Sequence, residues 1–393
     1  MAVMKSLKAV IQYAYDHAYG FKVQMDNAGL SPKDIQSNAD LSKIPVLKKD
    51  DLPLLQKENA PFAQLTTIQT TEMARVFMSP GPIYDPQTHE KDFWRFSEAL
   101  LAAGFNEKDI VQNTFSYHLS PAGFMFDSAL RELGVTVIPA GTGNRELQIQ
   151  VMKDLKVTGY VGTPSFFSIL LDAIEEKGWT IGKEIHLKRA FFIAEMLTTE
   201  LRKRCEGKAI LVFEGYGTAD CGCIAYEDKQ GPGLKITSSA IVQICDPLTG
   251  DELLDGEGEV VITLYDQSYP LIRFGTGDLS RWVEGYEGVR IAGVLGRISD
   301  GVKVKGMFVR ENQLALVLEQ AGYSAFQGII KREKNQDIFE LFVESDEELQ
   351  ADLGEKLQDV IRVTPIIKKV KKGYLNNNEK RLIDQRFYEL KKS

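Results

Sequence analysis

The sequence predicts an α/β protein. A large N-terminal domain rests mainly on parallel sheet and carries a small β subdomain, and a small α+β domain follows it. Three observations carry this expectation. Strand-like and helix-like segments alternate from residue 75 to residue 213 at βαβ spacing. Past residue 230 the pattern becomes short alternating strands separated by Gly and Asp turns. After Asp300 mixed helix and strand signals return. A chain of 393 residues suits two or three domains at roughly 100–200 residues each.

At the head, Leu7, Val10, Ile11, Tyr13 and Ala14 recur at helical spacing within residues 5–27. Ser31-Pro32 is a start signal for a turn or short helix, and Ile44-Pro-Val-Leu reads as extended. Arg75-Val-Phe-Met is a strand that ends in the turn-rich Ser79-Pro-Gly-Pro-Ile-Tyr-Asp-Pro. Helices are expected at 92–104, 123–133, 145–154, 165–176 and 198–206. Strands are expected between them, at 110–115, 135–139, 159–162, 189–193 and 209–213. Ligands on such sheets sit at the carboxyl ends of the strands. The segments 79–86, 115–122, 139–144, 162–165, 194–197 and 216–222 each follow a strand, so one crevice is expected between them. Residues 234–239, 241–245, 259–264 and 289–292 read as the β subdomain. Beyond residue 300 come strands at 302–305, 326–330 and 338–342, with helices at 311–321 and 346–362. Lys368-Lys-Val-Lys-Lys reads as an exposed basic tail.

Composition narrows the function. Lys and Arg number 47 against 55 Asp and Glu, a net charge of -8, which argues against a general nucleic-acid binder. Apolar residues at 44% and charged residues at 26% exclude a disordered chain. The cysteines Cys205, Cys221, Cys223 and Cys245 are too sparse for a disulfide framework. Cys221-Gly-Cys223 invites a zinc reading, but no histidine or second close cysteine pair completes four ligands. No run approaches the ~18 apolar residues of a membrane helix, and no signal-peptide core follows the N-terminus. A soluble, cytoplasmic protein without a membrane or nucleic-acid partner is expected, monomeric or homodimeric by base rate.

Several motifs, in order, resemble one family. They are Tyr13-Ala-Tyr-Asp, Ala28-Gly-Leu-Ser-Pro-Lys-Asp-Ile, Leu41-Ser-Lys-Ile-Pro-Val-Leu-Lys-Lys-Asp-Asp-Leu, Val135-Thr-Val-Ile-Pro-Ala-Gly-Thr-Gly and Gly162-Thr-Pro-Ser-Phe. Together they resemble the phenylacetate–coenzyme A ligase group of the adenylate-forming enzymes, from about residue 8 to residue 386. The resemblance implies the adenylate-forming fold, with an AMP-binding domain at 1–299, its β subdomain at about 230–295, and a mobile domain at 300–393. It implies ATP, Mg²⁺ and coenzyme A as cofactors and an aromatic or medium-sized carboxylic acid as substrate. The acid and ATP would give an acyl-adenylate and pyrophosphate, and the thiol of coenzyme A would then displace AMP.

The same resemblance assigns site residues. Tyr216-Gly217-Thr218-Ala219-Asp220 stands at the family's Tyr-Gly-x-Ser/Thr-Glu. Tyr216 would stack on adenine, Asp220 would hold Mg²⁺, and Thr218 would replace the phosphate-contacting hydroxyl that Ala219 lacks. Arg273-Phe-Gly-Thr-Gly-Asp278-Leu matches the ribose motif, with Asp278 accepting both hydroxyls and Arg273 counted with the nucleotide site. In Gly296-Arg-Ile-Ser-Asp, Arg297 would reach ribose or phosphate, and Asp300 would be the hinge. Ala194-Glu195-Met aligns with the loop that contacts the base. Ser79 and Gly81 lie in the phosphate loop, which departs from the family: Pro80, Pro82 and Pro86 offer no N–H, no Lys is present, and Asp85 adds negative charge. Either phosphate charge is met elsewhere or ATP handling is weakened. Lys380 stands for the C-terminal lysine that reaches the carboxylate and α-phosphate, although pinning the register on Arg381-Leu-Ile-Asp puts Asn378 there. Tyr117, His118, Phe124 and Pro139 would form an acid slot of aromatic-ring size. Two alternatives stay open: a homologue that binds ligand or AMP without ligase activity, and an adenylating enzyme with another acceptor.

Overall fold

The computed structural model describes residues 6–79, 82–304, 307–333, 336–375 and 381–386. The chain divides into two compact units, Met1–Leu295 and Gly296–Ser393.

The first unit opens with two helices rather than one. Leu7–His17 starts on Ser6, whose hydroxyl accepts from the Ala9 N–H at 3.3 Å, and buries Leu7, Val10, Ile11 and Ala14. Ala18 leaves helical geometry at φ -104°, ψ 97°, and Tyr19–Asn27 begins anew. An eight-stranded sheet forms the centre. Five strands run parallel in the order Thr136–Pro139, Ile110–Asn113, Gly159–Gly162, Arg189–Phe192 and Leu211–Thr218. Gly222–Tyr226, Leu234–Ile236 and Arg290–Ile291 then add antiparallel strands. In register, Val161, Phe191 and Phe213 lie side by side and are buried against Phe126, Phe105 and Trp94. The crossover helices start as their sequences dictate. Thr163 caps Pro164–Glu176 by accepting from the Phe166 N–H at 3.3 Å. Thr198 caps Thr199–Glu206 by accepting from the Leu201 N–H at 3.2 Å.

The strands of the region 230–295 are divided between two sheets. Its first and last strands extend the central sheet, while Ala240–Cys245, Gly258–Leu264 and Phe274–Ser280 form a second, antiparallel sheet. Leu47–Lys48, over 200 residues earlier in the chain, pairs parallel with Phe274 and Gly275 on that second sheet. The apolar face of Val242, Ile244, Val260 and Ile262 requires this division, because it is buried together with Ile224 and Ala225 of the central sheet. Residues 92–104 also differ from expectation. Only Ser97–Ala102 is helical, because Asp92 and Arg95 adopt φ of 49° and 62°.

The second unit is α+β. A four-stranded sheet runs Ile366–Val370, Gln336–Glu344, Phe326–Glu333, Leu382–Asp384, with helices Glu311–Gln320 and Leu353–Ile361 packed through Leu314, Leu318, Leu357 and Ile361. The expected helix at 346–362 is shorter than its pattern. The expected basic tail is an edge strand, with Lys368 paired to Glu340 at 2.6 Å and Lys369 paired to Glu348. Among the described residues, no helix is long and apolar enough to cross a membrane.

Candidate active site

The strand Leu211–Thr218 carries Tyr216 where the two sheets of the first unit meet. Its ring is buried, and its hydroxyl donates to Asp278 Oδ2 at 2.9 Å and lies 3.1 Å from Thr276 Oγ1. Burial raises the Tyr216 phenol well above its ordinary value, and the adjacent Asp278 charge adds to the rise. Thr276 in turn donates to the Val260 carbonyl at 2.9 Å. Tyr216 and Asp278, 62 residues apart, are therefore fixed as one unit by strands of different sheets.

The turn after this strand is braced from outside. A Cβ on Gly217 would lie 2.4 Å from the Gly222 carbonyl oxygen, and one on Gly222 (φ +69°) 2.5 Å from the Trp94 carbonyl oxygen. Trp94 Nε1 donates to the Ala219 carbonyl at 3.2 Å. Arg95 donates to the Cys221 carbonyl at 2.6 Å and to Asp266 at 2.9 Å. The Thr218 hydroxyl accepts from the Cys221 N–H at 3.1 Å, closing the turn on itself. Asp220 is thereby held inward. Its Oδ2 receives the Lys49 ammonium at 2.5 Å, and its Oδ1 has no hydrogen-bond partner. Burial works to lower the Lys49 pKa, but the Asp220 charge outweighs it and the ammonium stays protonated.

The expected phosphate loop is a β-hairpin, Arg75–Ser79 with Ile83–Gln87, paired from Arg75↔Gln87 to Ser79↔Ile83. Gly81 lies outside the described residues. Ser79 is buried at the strand end, its hydroxyl 3.4 Å from the Ile83 carbonyl. Gln56 clamps the outer edge by donating to the Tyr84 carbonyl at 2.9 Å and accepting its N–H at 2.8 Å. On the inner edge the Met78 N–H donates to the Leu119 carbonyl at 3.1 Å. Asp85 points inward with no exposure and no hydrogen-bond partner on either oxygen. Burial and the Asp220 charge push its carboxyl up to about 8, against the pull of Ser79 and Lys49.

Elsewhere the assignments from sequence fare unequally. Tyr117 and Phe124 meet edge-on at 5.3 Å between centroids, and Phe124 contacts Phe77 at 5.4 Å. Asn113 donates to the Tyr117 hydroxyl at 2.8 Å. His118 is exposed, and Pro139 is an exposed residue of the sheet-edge strand paired with Asn113, so neither joins the aromatic pair. Ala194 sits exposed at φ +75°, and the Glu195 carboxylate accepts the Ser165 N–H at 3.2 Å at a helix start. Glu195 lines a cavity of about 330 Å³ with Pro164, Ser165, Met196 and Arg204. Arg273 belongs to none of this. It is 1% exposed, and its guanidinium donates to the carbonyls of Leu41 at 3.1 Å, Ile44 at 2.9 Å and Gly250. Those bonds bolt the N-terminal segment to the second sheet, so Arg273 offers nothing to a nucleotide. Arg297 and Asp300 belong to the second unit, Asp300 closing the turn Ile298–Asp300, and Lys380 lies outside the described residues. Cys221 and Cys223 are buried; burial pushes the Cys221 thiol up to about 12 and the Cys223 thiol well above its ordinary value. Among the described residues, no three His, Cys, Asp or Glu gather as a metal cage.

Lys49 was not legible as a site residue, since it is 171 residues from Asp220 and sits in an ordinary Lys-Lys-Asp-Asp run. Tyr269 was missed as well; its hydroxyl is buried, unpartnered and beside the Asp220 and Asp85 charges.

The AMP-binding enzyme family matches residues 98–265. The fold is that of 2-hydroxyisobutyryl-CoA ligase in an open conformation with 2-HIB-AMP and CoA. That likeness has a TM-score of 0.84 at 22% identity, over 98% of this chain and 91% of that one. The comparisons together support an adenylate-forming, AMP-binding enzyme. It is 28% identical to the phenylacetate-coenzyme A ligase of Thermus thermophilus and 29% identical to that of Aromatoleum evansii. Each alignment covers 89% of this chain and 82% of the relative. Within the family it is a phenylacetate–CoA ligase-like member.

Proposed function

We propose that this chain joins a carboxylic acid to coenzyme A in two steps at the expense of ATP. The acid's carboxylate oxygen attacks the α-phosphorus, the bond to pyrophosphate breaks, and an acyl-adenylate forms. The thiolate of coenzyme A then attacks the acyl carbon and AMP leaves with the bonding pair. The observation that carries this reading is the buried Tyr216–Asp278 hydrogen bond at 2.9 Å. A ring for the base and a carboxylate for the ribose hydroxyls are held rigid together, which is what preorganised recognition of an adenylate requires.

Asp220 fits a magnesium ligand, because its Oδ1 is buried and unpartnered. When bound, Mg²⁺ supplies positive charge to phosphate oxygens. Tyr117 and Phe124 form one wall of an aromatic acid slot. Ala194 and Glu195 stand at the base-contacting loop. Lys380 is assigned the point charge on the carboxylate and α-phosphate, Arg297 the ribose or phosphate contact, and Asp300 the hinge of the 300–393 domain. The protein is assigned to the cytoplasm, as a monomer or homodimer.

A second reading, nucleotide or ligand binding without adenylation, is favoured by one observation: the hairpin presents the unpartnered Asp85 where phosphate charge would arrive. Acid-dependent ATP–pyrophosphate exchange without coenzyme A separates the two. Exchange with an aryl or short fatty acid, lost in Asp278→Ala and Lys380→Ala, supports adenylation. Exchange absent for every acid while AMP binds establishes the second reading. Adding coenzyme A then identifies the acceptor.

A further inference from the structure

The side chains that hold the turn around Asp220 come from outside the nucleotide motifs. They lie in the segment 92–96, just before the helix Ser97–Ala102. Asp92 and Arg95 are both left-handed there, at φ of 49° and 62°. Residues other than glycine rarely adopt that region, and they keep it only where surrounding contacts over-determine it. Those contacts are on view. The Asp92 carboxylate accepts the Phe96 and Ser97 N–H groups at 3.0 and 2.8 Å and so fixes the segment to the helix start. The Arg95 N–H closes on the Asp92 carbonyl at 2.8 Å.

What the segment reaches is specific. Trp94 Nε1 donates to the Ala219 carbonyl at 3.2 Å, and Arg95 Nη2 donates to the Cys221 carbonyl at 2.6 Å. These are the carbonyls of the two residues that flank Asp220. The Trp94 carbonyl accepts the Cys223 N–H at 2.8 Å. Arg95 Nη1 meanwhile donates to the Phe93 carbonyl at 2.7 Å and to Asp266 Oδ2 at 2.9 Å. Asp266 Oδ1 accepts the Ser268 and Tyr269 N–H groups at 2.8 and 3.0 Å. One guanidinium therefore ties the turn to the loop that follows Asp266. Tyr216, Asp278 and Thr276 are bonded to one another without it. A planar fork can serve several acceptors in fixed directions, which the single nitrogen of a lysine cannot reproduce.

We propose that Arg95 is a positioning residue of the nucleotide site. Its guanidinium, anchored on Asp266, sets where the turn carrying Thr218 and Asp220 stands, and so how well phosphates are received, while the base and ribose contacts are fixed independently. The proposal rests on the nucleotide reading above.

The test is equilibrium dialysis of the full chain against labelled adenosine and labelled ATP, both with Mg²⁺ present, joined to hydrogen exchange of the free protein. Arg95→Lys is expected to weaken ATP binding about ten-fold, the scale on which supporting partners act, with adenosine affinity held within about two-fold. Exchange is expected to quicken at the amides of 218–223 and to stay unchanged at 211–216. Arg202→Lys is the comparison. It breaks another forked bridge, to Glu227 at 3.1 and 2.9 Å, and is expected to give no such split. Affinities that fall together, or that both hold, overturn the proposal and spare the nucleotide reading. Unchanged exchange at 218–223, or an equal split in Arg202→Lys, overturns it as well. If the unmodified protein binds neither ligand, the nucleotide reading fails and this proposal with it; if it binds ATP no tighter than adenosine, the proposal alone falls. Should Arg95→Lys not fold, Asp266→Asn decides by the same split, since it keeps the guanidinium and removes the charge of its anchor.

Discussion

The turn after the Tyr216 strand and the hairpin 75–87 are built in opposite ways. Around the turn, polar groups other than Asp220 Oδ1 are answered from within the protein: Tyr216 by Asp278 and Thr276, Ala219 by Trp94, Cys221 by Arg95 and Thr218. On the hairpin the backbone is well tied by Gln56 and Leu119, yet Asp85 is left buried and unanswered. Completed hydrogen bonding rigidifies a site before its ligand arrives. A buried carboxyl outside that network does the reverse: burial favours its neutral form and makes local stability depend on pH. The Tyr216 turn is thus held largely by its own hydrogen bonds, whereas the hairpin keeps a buried carboxyl outside that network.

The widest separation between the two regions should come from Asp85→Asn. A carboxyl held near 8 in the fold, against about 3.9 unfolded, keeps its proton between those values only in the native state. Native stability from this group therefore falls as pH rises from about 4 to about 8. The advantage of Asp85→Asn over the unmodified protein should be larger at pH 8 than at pH 5 by about 4 kcal/mol. Urea unfolding at the two pH values measures this, and a pH-independent difference would break the contrast.

Removing a partner from Tyr216 should act in the opposite sense. Asp278→Ala deletes a charged acceptor, and AMP binding by calorimetry should weaken about 100-fold, since hydrogen bonds to charged groups contribute about 1.5–3 kcal/mol each. Affinity within a factor of three of the unmodified protein would remove Asp278 from the ribose contact.

Trp94→Phe probes the brace behind the turn. It removes the bond to the Ala219 carbonyl and should cost about 1–2 kcal/mol of stability, read as a lower denaturation midpoint at unchanged slope. The smallest effect belongs to Ala194→Gly. Relief of the left-handed backbone at φ +75° is offset by glycine's greater unfolded entropy, leaving a gain of about 0.5 kcal/mol. A loss in this variant would mean that the Ala194 methyl packs on something the loop needs.

Much of the first unit was legible because its signals are local. The Thr163-Pro164 and Thr198 helix starts and the Arg145–Asp154 helix announce themselves within a few residues. The strand Phe274–Ser280 did not, because two glycines and an aspartate give it little β-propensity. It is extended because it is paired on both sides, by Gly258–Leu264 and by Leu47–Lys48. The first half of the expected helix 92–104 failed for a similar reason: Arg95 bonds to Asp266 and to the Cys221 carbonyl, and these distant ties fix a positive φ that no helical pattern shows.

The site divides along the same line. The sequence by itself put Tyr216, Asp220 and Asp278 among the candidates, because each stands in a short run that resembles a family motif. It also determined that the hairpin lacks a lysine and carries an aspartate. Only the tertiary structure decided which neighbours these residues have: Asp278 on Tyr216, Lys49 on Asp220, Asp85 buried beside both, and Arg273 committed to backbone carbonyls away from the site. The reason is physical. Charge compensation and burial depend on distances between segments up to 232 residues apart, and no local pattern encodes them.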